Sequence, residues 1–247
     1  MKALILASGA GKRLRPLTDS VPKSLIKIGN KTILDLQLES LIKYGIEGVI
    51  ITTGPFKEKL EEHVRSNYPI KVWFVNNPKY ETTNYIYSLW LAKNLIDRDM
   101  LLLHGDLLFD DVLIGKMIEA KNNSVLISKR IKPPEKDFKA LVEGNRVAQI
   151  GVELSGPNAY FCAPMYRFSK SDFLRWLSKI EDFVKQGRIN CYAEDAFNEI
   201  SKEIVLHPLY FDEFCMEIDT VGDLERAETW ACEHIPEIRG QAEKTVN

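Results

Sequence analysis

The chain begins with an apolar run over positions 3–7, and its first half then alternates between two kinds of segment. Short continuous apolar stretches at 48–53, 70–75, 100–104 and 123–128 have the length of strands buried on both faces. Between them, apolar residues recur at helical spacing. Positions 33–44 place Ile33, Leu34, Leu38, Leu41 and Ile42 on one face, with Gly45 just past the end. Positions 56–66 read as a charged surface helix, 84–96 as a helix burying Ile86, Leu89 and Trp90, and 111–120 as a fourth. This alternation predicts a parallel sheet covered by helices on both faces. Functional residues in such sheets sit beyond the carboxyl ends of the strands, here after Ala7, Thr53, Val75 and His104.

The second half has a different pattern. Positions 139–143 and 147–150 flank Gly144-Asn145-Arg146 as a hairpin would. Further strands are expected at 160–168 and 205–209, and helices at 170–184 and 195–200. Glu217-Ile218-Asp219 ends a short strand, and Thr220 opens a helix with Asp223 as a partial capping box. Asp110 and Asp111 are expected only to charge the start of the helix that follows them. The polar stretch 233–247 is expected to fray.

Composition narrows the function. Apolar residues make up 45% of 247, enough to bury a sizeable core. The net charge of −2 disfavours nucleic-acid binding by phosphate neutralisation. No window approaches the roughly eighteen uninterrupted apolar residues of a membrane span. The first apolar run is also too short for a signal-peptide core, so a cytoplasmic protein is expected. Cys162, Cys191, Cys215 and Cys232 show no CxxC spacing and are expected as reduced, mostly buried thiols. His63, His104, His207 and His234 show no metal-ligand spacing. The charge is nevertheless uneven. Residues 1–27 hold six basic side chains (Lys2, Lys12, Arg13, Arg15, Lys23, Lys27) against one acid, Asp19. A positive cluster beside glycines points to an anionic ligand.

The glycines follow the first strand in Ser8-Gly9-Ala10-Gly11-Lys12-Arg13-Leu14-Arg15-Pro16-Leu17-Thr18. A Walker A loop fails here, because Gly11-Lys12 is followed by Arg13. A dinucleotide fingerprint fails at Leu14, where its third glycine belongs, and Pro16 interrupts any smooth entry into a helix. What remains is a glycine turn whose backbone N–H groups can approach phosphates. That string, followed by Pro22-Lys23-Ser24-Leu25, resembles the signature of the nucleotidyltransferases that activate sugar 1-phosphates. It is similar also to the cytidylyltransferases acting on phosphocholine and 2-aminoethylphosphonate.

The resemblance implies a Rossmann-like α/β fold: a mainly parallel sheet with helices on both faces and a small β-rich insertion or lid in the second half. It implies one domain over 1–233, with a nucleotide-binding core at 1–130, an acceptor-binding and lid region at 131–215, a return to the core at 216–233, and a polar tail at 234–247. The implied chemistry is attack of a phosphate or phosphonate oxygen on the α-phosphorus of a nucleoside triphosphate, with pyrophosphate leaving in line. Such a reaction needs positioning and charge neutralisation above all. Arg13 and Lys23 would be catalytic, Arg13 pairing with the β- and γ-phosphates and Lys23 neutralising the α-phosphate or the incoming oxyanion. Leu6, Ala7, Ser8, Gly9, Ala10, Gly11 and Lys12, with Asn84 and Ser88, would hold the nucleotide. Ser8 stands where many sugar enzymes carry glycine, and it keeps a donor for the nucleotide.

Asp106, after the fourth strand, and Asp219 match the family pattern of metal-binding acids, so Mg²⁺ is the expected cofactor, with Glu217 as a secondary ligand. Taken alone, Asp219 reads as a helix N-cap and Asp106 as a solvated loop acid. Asn76-Asn77-Pro78-Lys79-Tyr80 and Asn84 to Leu89 are similar to the nucleotide-side stretch of choline-type cytidylyltransferases, whereas the Gln-Pro-x-Gly-Leu-Ala stretch of sugar enzymes is missing. Asn84 reads equally as a helix N-cap and Tyr87 as a packing residue. Tyr192-Ala193-Glu194-Asp195 resembles the same subgroup, so Tyr192, Glu194, Asp195 and Tyr160 are candidates to bind a cationic acceptor; the plain alternative is first-turn acids favoured by the helix dipole. The expected activity is transfer of CMP from CTP to a small amine-bearing phosphate or phosphonate. A sugar-1-phosphate enzyme using UTP, dTTP or GTP is the alternative. A metal-dependent glycosyltransferase would want Asp-x-Asp, but Asp106 is followed by Leu107-Leu108. A catalytically dead nucleotide-binding regulator is opposed by the presence of Arg13, Lys23, Asp106 and Asp219.

Overall fold

The computed structural model describes residues 1–238. Its elements in chain order are β1 (Lys2–Leu6), β2 (Lys27–Ile28), β3 (Lys31–Thr32), α1 (Ile33–Lys43), β4 (Gly48–Thr53), α2 (Lys57–Asn67), β5 (Lys71–Asn76), α3 (Tyr85–Leu91), β6 (Met100–His104), β7 (Leu107–Phe109), α4 (Val112–Glu119) and β8 (Ser124–Ser128). They continue with β9 (Lys139–Glu143), β10 (Arg146–Gly151), β11 (Ala159–Phe168), α5 (Lys170–Lys185), α6 (Ala193–Ile200), β12 (His207–Tyr210), β13 (Cys215–Glu217) and α7 (Val221–His234).

Four strands form the expected parallel unit in the order β5, β4, β1, β6. Their buried side chains alternate between two cores. Leu4, Leu6 and Leu102 face α3, α5 and α6, while Ala3, Ile5 and Leu103 face α1 and α4. The second half joins the same sheet. β11 runs antiparallel to β6, to β8 and, at its start, to β9, which pairs with β10 in the expected hairpin. A third core lies under the glycine loop, where Leu14, Ile26, Ile28, Ile33 and Leu108 meet Ile218, Leu224 and Ala227.

Helix ends follow their local chemistry. Thr32 caps α1 through a capping box with Asp35, and Gly45 takes a left-handed φ of 73° beyond the helix. The Thr220–Asp223 box caps α7 as expected. Asp111 is the N-cap of α4 but makes no side-chain cap; Asp110 accepts from Val112 N–H instead.

The structure departs from the expectations at four points. The helix expected over 84–96 ends at Leu91 and continues as a 3-10 turn at Lys93–Leu95. β7 was not anticipated, because its three apolar residues lie too close to β6 to read as a separate strand. The expected fraying from 233 is overturned for Ile238, which is buried in the third core and meets Gly29; positions 239–247 lie outside the described residues. Only Cys162 and Cys215 are buried, while Cys191 and Cys232 are half-buried. No helix among the described residues is long and apolar enough to cross a membrane.

The glycine loop is fastened to its neighbours. Ala7 N–H donates to Thr52 Oγ1 at 3.0 Å, and Gly54 lies so close that a Cβ there would stand 2.2 Å from the Ser8 carbonyl oxygen. Gly54→Ala should therefore push β4's exit loop off the glycine loop, at about 1–3 kcal/mol for an overpacked contact. Denaturant unfolding should show that loss; stability unchanged within experimental error would mean the two loops are not locked together.

Candidate active site

The carboxyl edge of the parallel strands opens into a cleft with two arms. One arm, a cavity of about 260 Å³, is walled by Leu6, Ala7, Ser8, Gly9 and Ala10 on one side and by Asn77, Tyr80, Thr83 and Asn84 on the other. The second, of about 370 Å³, holds Gly11, Lys12, Arg13, Glu217, Asp219 and Tyr192, together with Lys136, Phe138 and Val152. Lys23, Tyr85, His104 and Asp106 line both arms.

Each wall has a local cause. Gly11 takes φ 61°, and its carbonyl accepts from Leu14 N–H at 3.0 Å and from Thr18 Oγ1 at 2.9 Å. Thr18, at the end of the Pro-Leu-Thr string, thus closes the turn that Gly11 begins. Gly105 lets the chain after β6 lie against Ala7, where a Cβ would come within 2.9 Å of the Leu6 carbonyl oxygen. Asp106 and Asp219 meet although 113 positions separate them. β7 pairs antiparallel with β13, placing Leu107 opposite Glu217, and Ile218 N–H donates to the Asp106 carbonyl at 2.9 Å.

The centre of the cleft is an ion cluster. Lys23 Nζ lies 2.5 Å from Asp106 Oδ2 and 2.7 Å from Asp219 Oδ1. Arg13 reaches the same Asp219 oxygen at 2.8 Å, and Lys136 reaches its other oxygen at 3.5 Å and Asp223 at 2.8 Å. Burial works against the charge on Lys23, yet Asp106 and Asp219 outweigh it and raise its pKa. Asp106 is lowered, because Lys23 and His104 overcome its burial. Beside it, burial and the Asp106 charge push Glu217 up, against the His104 hydrogen bond at 3.3 Å. His104 is raised as well, its burial outweighed by Glu217.

The candidate acceptor residues divide. Tyr192 lines the second arm. Glu194 is buried behind it, accepting from Tyr166 Oη at 2.8 Å and from the Tyr85 hydroxyl. Asp195 accepts from Tyr192 N–H at 2.9 Å and caps its own helix, so the dipole reading describes it and it does not line the cleft. Tyr160 also lies outside both arms, under Lys129. Ser88 sits one layer behind the first arm, hydrogen-bonded to Ser8 at 2.7 Å. Asn84 lines both arms and also caps α3.

Phe138, Lys136 and Tyr85 were missed. The first two lie on the irregular segment between β8 and β9, where no periodicity marks them; Tyr85 lies inside the stretch likened to the cytidylyltransferases, where nothing sets it apart from its helical neighbours. Together Tyr85, Phe138, Tyr192 and His104 form a ring cluster, with Phe138 and Tyr192 centroids 5.0 Å apart and Tyr85 and His104 4.6 Å apart.

Among the described residues, one group of potential metal ligands gathers, His104, Asp106 and Glu217, with ligand atoms within 4.8 Å of one another. The carboxylates suit a hard divalent cation: Asp106 Oδ1 is buried with no hydrogen-bond partner, and Asp219 adds a third carboxylate across Lys23.

A glycine turn, convergent cations and paired acids beyond the carboxyl ends of a parallel sheet define a Rossmann-like α/β protein of the phosphate-handling class. The model of the nucleotidyl transferase family matches residues 2–137, and the chain belongs to that family. It is 30% identical over 156 residues to the CTP:phosphoglutamine cytidylyltransferase of Campylobacter jejuni, covering 57% of this chain and 61% of that one. It is 26% identical over 248 residues to the bifunctional protein GlmU of Methanococcus aeolicus, covering all of this chain and 58% of that one. The chain thus spans about three fifths of these relatives' length. Among solved structures, the inositol-1-phosphate CTP transferase of T. maritima superposes with a TM-score of 0.80 at 26% identity, covering 95% of this chain and 97% of that one.

Asp137, buried beside Lys136 on the same segment, yields a pH prediction. Burial, and then the Glu217 charge, push its carboxyl up to about 6 from 3.8, against the pull of Lys136. The folded state therefore holds this proton more tightly than the unfolded chain. The stability it contributes is present below 3.8 and falls as pH rises to about 6. Asp137→Asn should flatten that decline in thermal midpoints measured across the window; an unchanged slope would show that Asp137 is not held protonated.

Proposed function

We propose that this protein transfers CMP from CTP to a small phosphate or phosphonate that carries a cationic amine. The observation that carries the transfer is the Lys23 ammonium held between Asp106 and Asp219 at the mouth of the glycine loop. An acceptor oxygen attacks the α-phosphorus, a new P–O bond forms, the bridging bond to the β-phosphate breaks, and pyrophosphate leaves with the electron pair. The glycine-loop N–H groups and Arg13 hold the β- and γ-phosphates. Lys23 neutralises charge at the α-phosphorus as the oxygen arrives, and its two aspartates fix its position. Asp106 and Asp219 would hold Mg²⁺, which supplies charge neutralisation on the triphosphate when bound.

The acceptor class rests on the second arm. Tyr85, Phe138 and Tyr192 present aromatic faces and edges beside Glu217, in a recess that also borders Asp106 and Asp219. Aromatic faces with a carboxylate suit an ammonium. Glu217 takes the role expected of Glu194 and Asp195. The phosphoglutamine relative supports CTP with a nitrogen-bearing acceptor, and the inositol-1-phosphate enzyme supports CTP. A likeness to the mannose-1-phosphate guanylyltransferase catalytic subunit beta of Danio rerio, 28% identical over 98% of this chain, favours a sugar 1-phosphate as the second reading.

Pyrophosphate release, measured for four nucleotides against amine-bearing and sugar phosphates, decides between them. CTP with an amine-bearing acceptor should give turnover, and Lys23→Ala should lower kcat far more than it weakens CTP binding. Turnover of Lys23→Ala within about threefold of wild type would remove Lys23 from the reaction. Turnover confined to sugar 1-phosphates would replace the acceptor assignment.

A further inference from the structure

The Ser8 hydroxyl ends a chain of hydrogen bonds whose direction is set at its buried end. Asn77 Oδ1 accepts from Lys79 N–H at 2.8 Å, which fixes which way the amide points. Asn77 Nδ2 therefore donates, to Thr83 Oγ1 at 3.0 Å and to Ser88 Oγ at 2.9 Å. Thr83 gives its own hydrogen to the Lys79 carbonyl at 2.9 Å. Ser88 is fully buried, and its remaining partner among the described residues is Ser8 Oγ at 2.7 Å. A buried hydroxyl hydrogen without an acceptor is unfavourable, so Ser88 donates to Ser8. Ser8, having accepted, has its own hydrogen to give, and it stands on the wall of the nucleotide arm.

We propose that Ser8 is a specificity-determining donor to the base, with Asn77 and Ser88 as positioning residues that fix its polarity. This rests on reading that arm as the nucleotide site. A hydroxyl with a hydrogen to give suits a base edge made of acceptors. Cytosine presents O2 and N3 side by side, both acceptors, whereas uracil and thymine present an N3–H in the same place. Cytosine and uracil match in size, so the discrimination between them comes from pairing a donor with an acceptor in preference to another donor, the kind of difference a polar site enforces best. Ser8 thereby selects cytosine.

The test is equilibrium binding, which needs no acceptor. Calorimetric Kd values for CTP and UTP are compared in wild type, Ser8→Ala and Ser88→Ala, with thermal melts alongside. Wild type should favour CTP by tenfold or more. Ser8→Ala should lower that ratio about tenfold, chiefly by weakening CTP, and should melt as wild type does. Ser88→Ala should lower it in the same direction without touching ligand; should that variant not fold, Ser8→Ala decides alone. A CTP-to-UTP ratio within about twofold of wild type in Ser8→Ala overturns the inference, as does a wild type that binds both equally. Wild type that binds neither nucleotide overturns the nucleotide reading of the arm, a failure distinct from an unchanged ratio.

Discussion

A lysine ammonium set between two aspartates, deep in a cleft, is the interaction on which the rest of this structure depends. Buried charges are costly unless each is paired, and the pairing here is tight: Lys23 lies within 2.7 Å of oxygens of both Asp106 and Asp219. Remove the lysine and two carboxylates face each other; remove either acid and the cation loses half its support. The three come from far-apart positions, so the fold must deliver them together. It does so with a ribbon of two three-residue strands, β7 and β13, whose register brings the residues at both strand ends to one point.

The glycine loop serves the same centre from the other side. Its turn is closed by Thr18 and its base is tied to Thr52, while Gly54 allows the next loop to press against it. Lys23 follows the loop closely enough that a Cβ on Gly11 would lie 3.2 Å from the Lys23 Cβ. Bare backbone at Gly11 is what lets the glycine turn and the central cation share so small a space. Asp219 is contacted by cations from three segments, Arg13, Lys23 and Lys136, so the loop, the core and the irregular segment after β8 all converge on one carboxylate.

Local motifs were legible in the sequence and long-range pairings were not. The glycine turn, Lys23 and the alternation of strands and helices that predicts a parallel sheet could be read because each is written in neighbours along the chain, whereas the order β5-β4-β1-β6 is set by pairings as distant as Lys2 with Met100. Asp106 and Asp219 could be named through the family likeness, but the β7–β13 ladder that joins them could not, since three-residue strands leave no periodic trace. Glu194 and Asp195 show the opposite error. Their likeness to the cytidylyltransferase subgroup suggested a binding pair, yet two tyrosine hydroxyls hold the first and a helix start takes the second. Acids in the first turn of a helix carry a local role that a sequence cannot separate from a ligand role. Phe138 and Lys136 were invisible for a third reason: they act from irregular backbone, where placement comes only from tertiary packing.

The most direct measurement of the central claim is a double-mutant cycle on kcat between Lys23→Met and Asp219→Asn, with each variant's folding checked by thermal melting. If the two side chains work as one unit, the double variant should lose about as much turnover as the more damaging single variant, leaving a large coupling energy. Losses that simply multiply, with all three variants folded, would show that Lys23 and Asp219 act independently and would contradict the account.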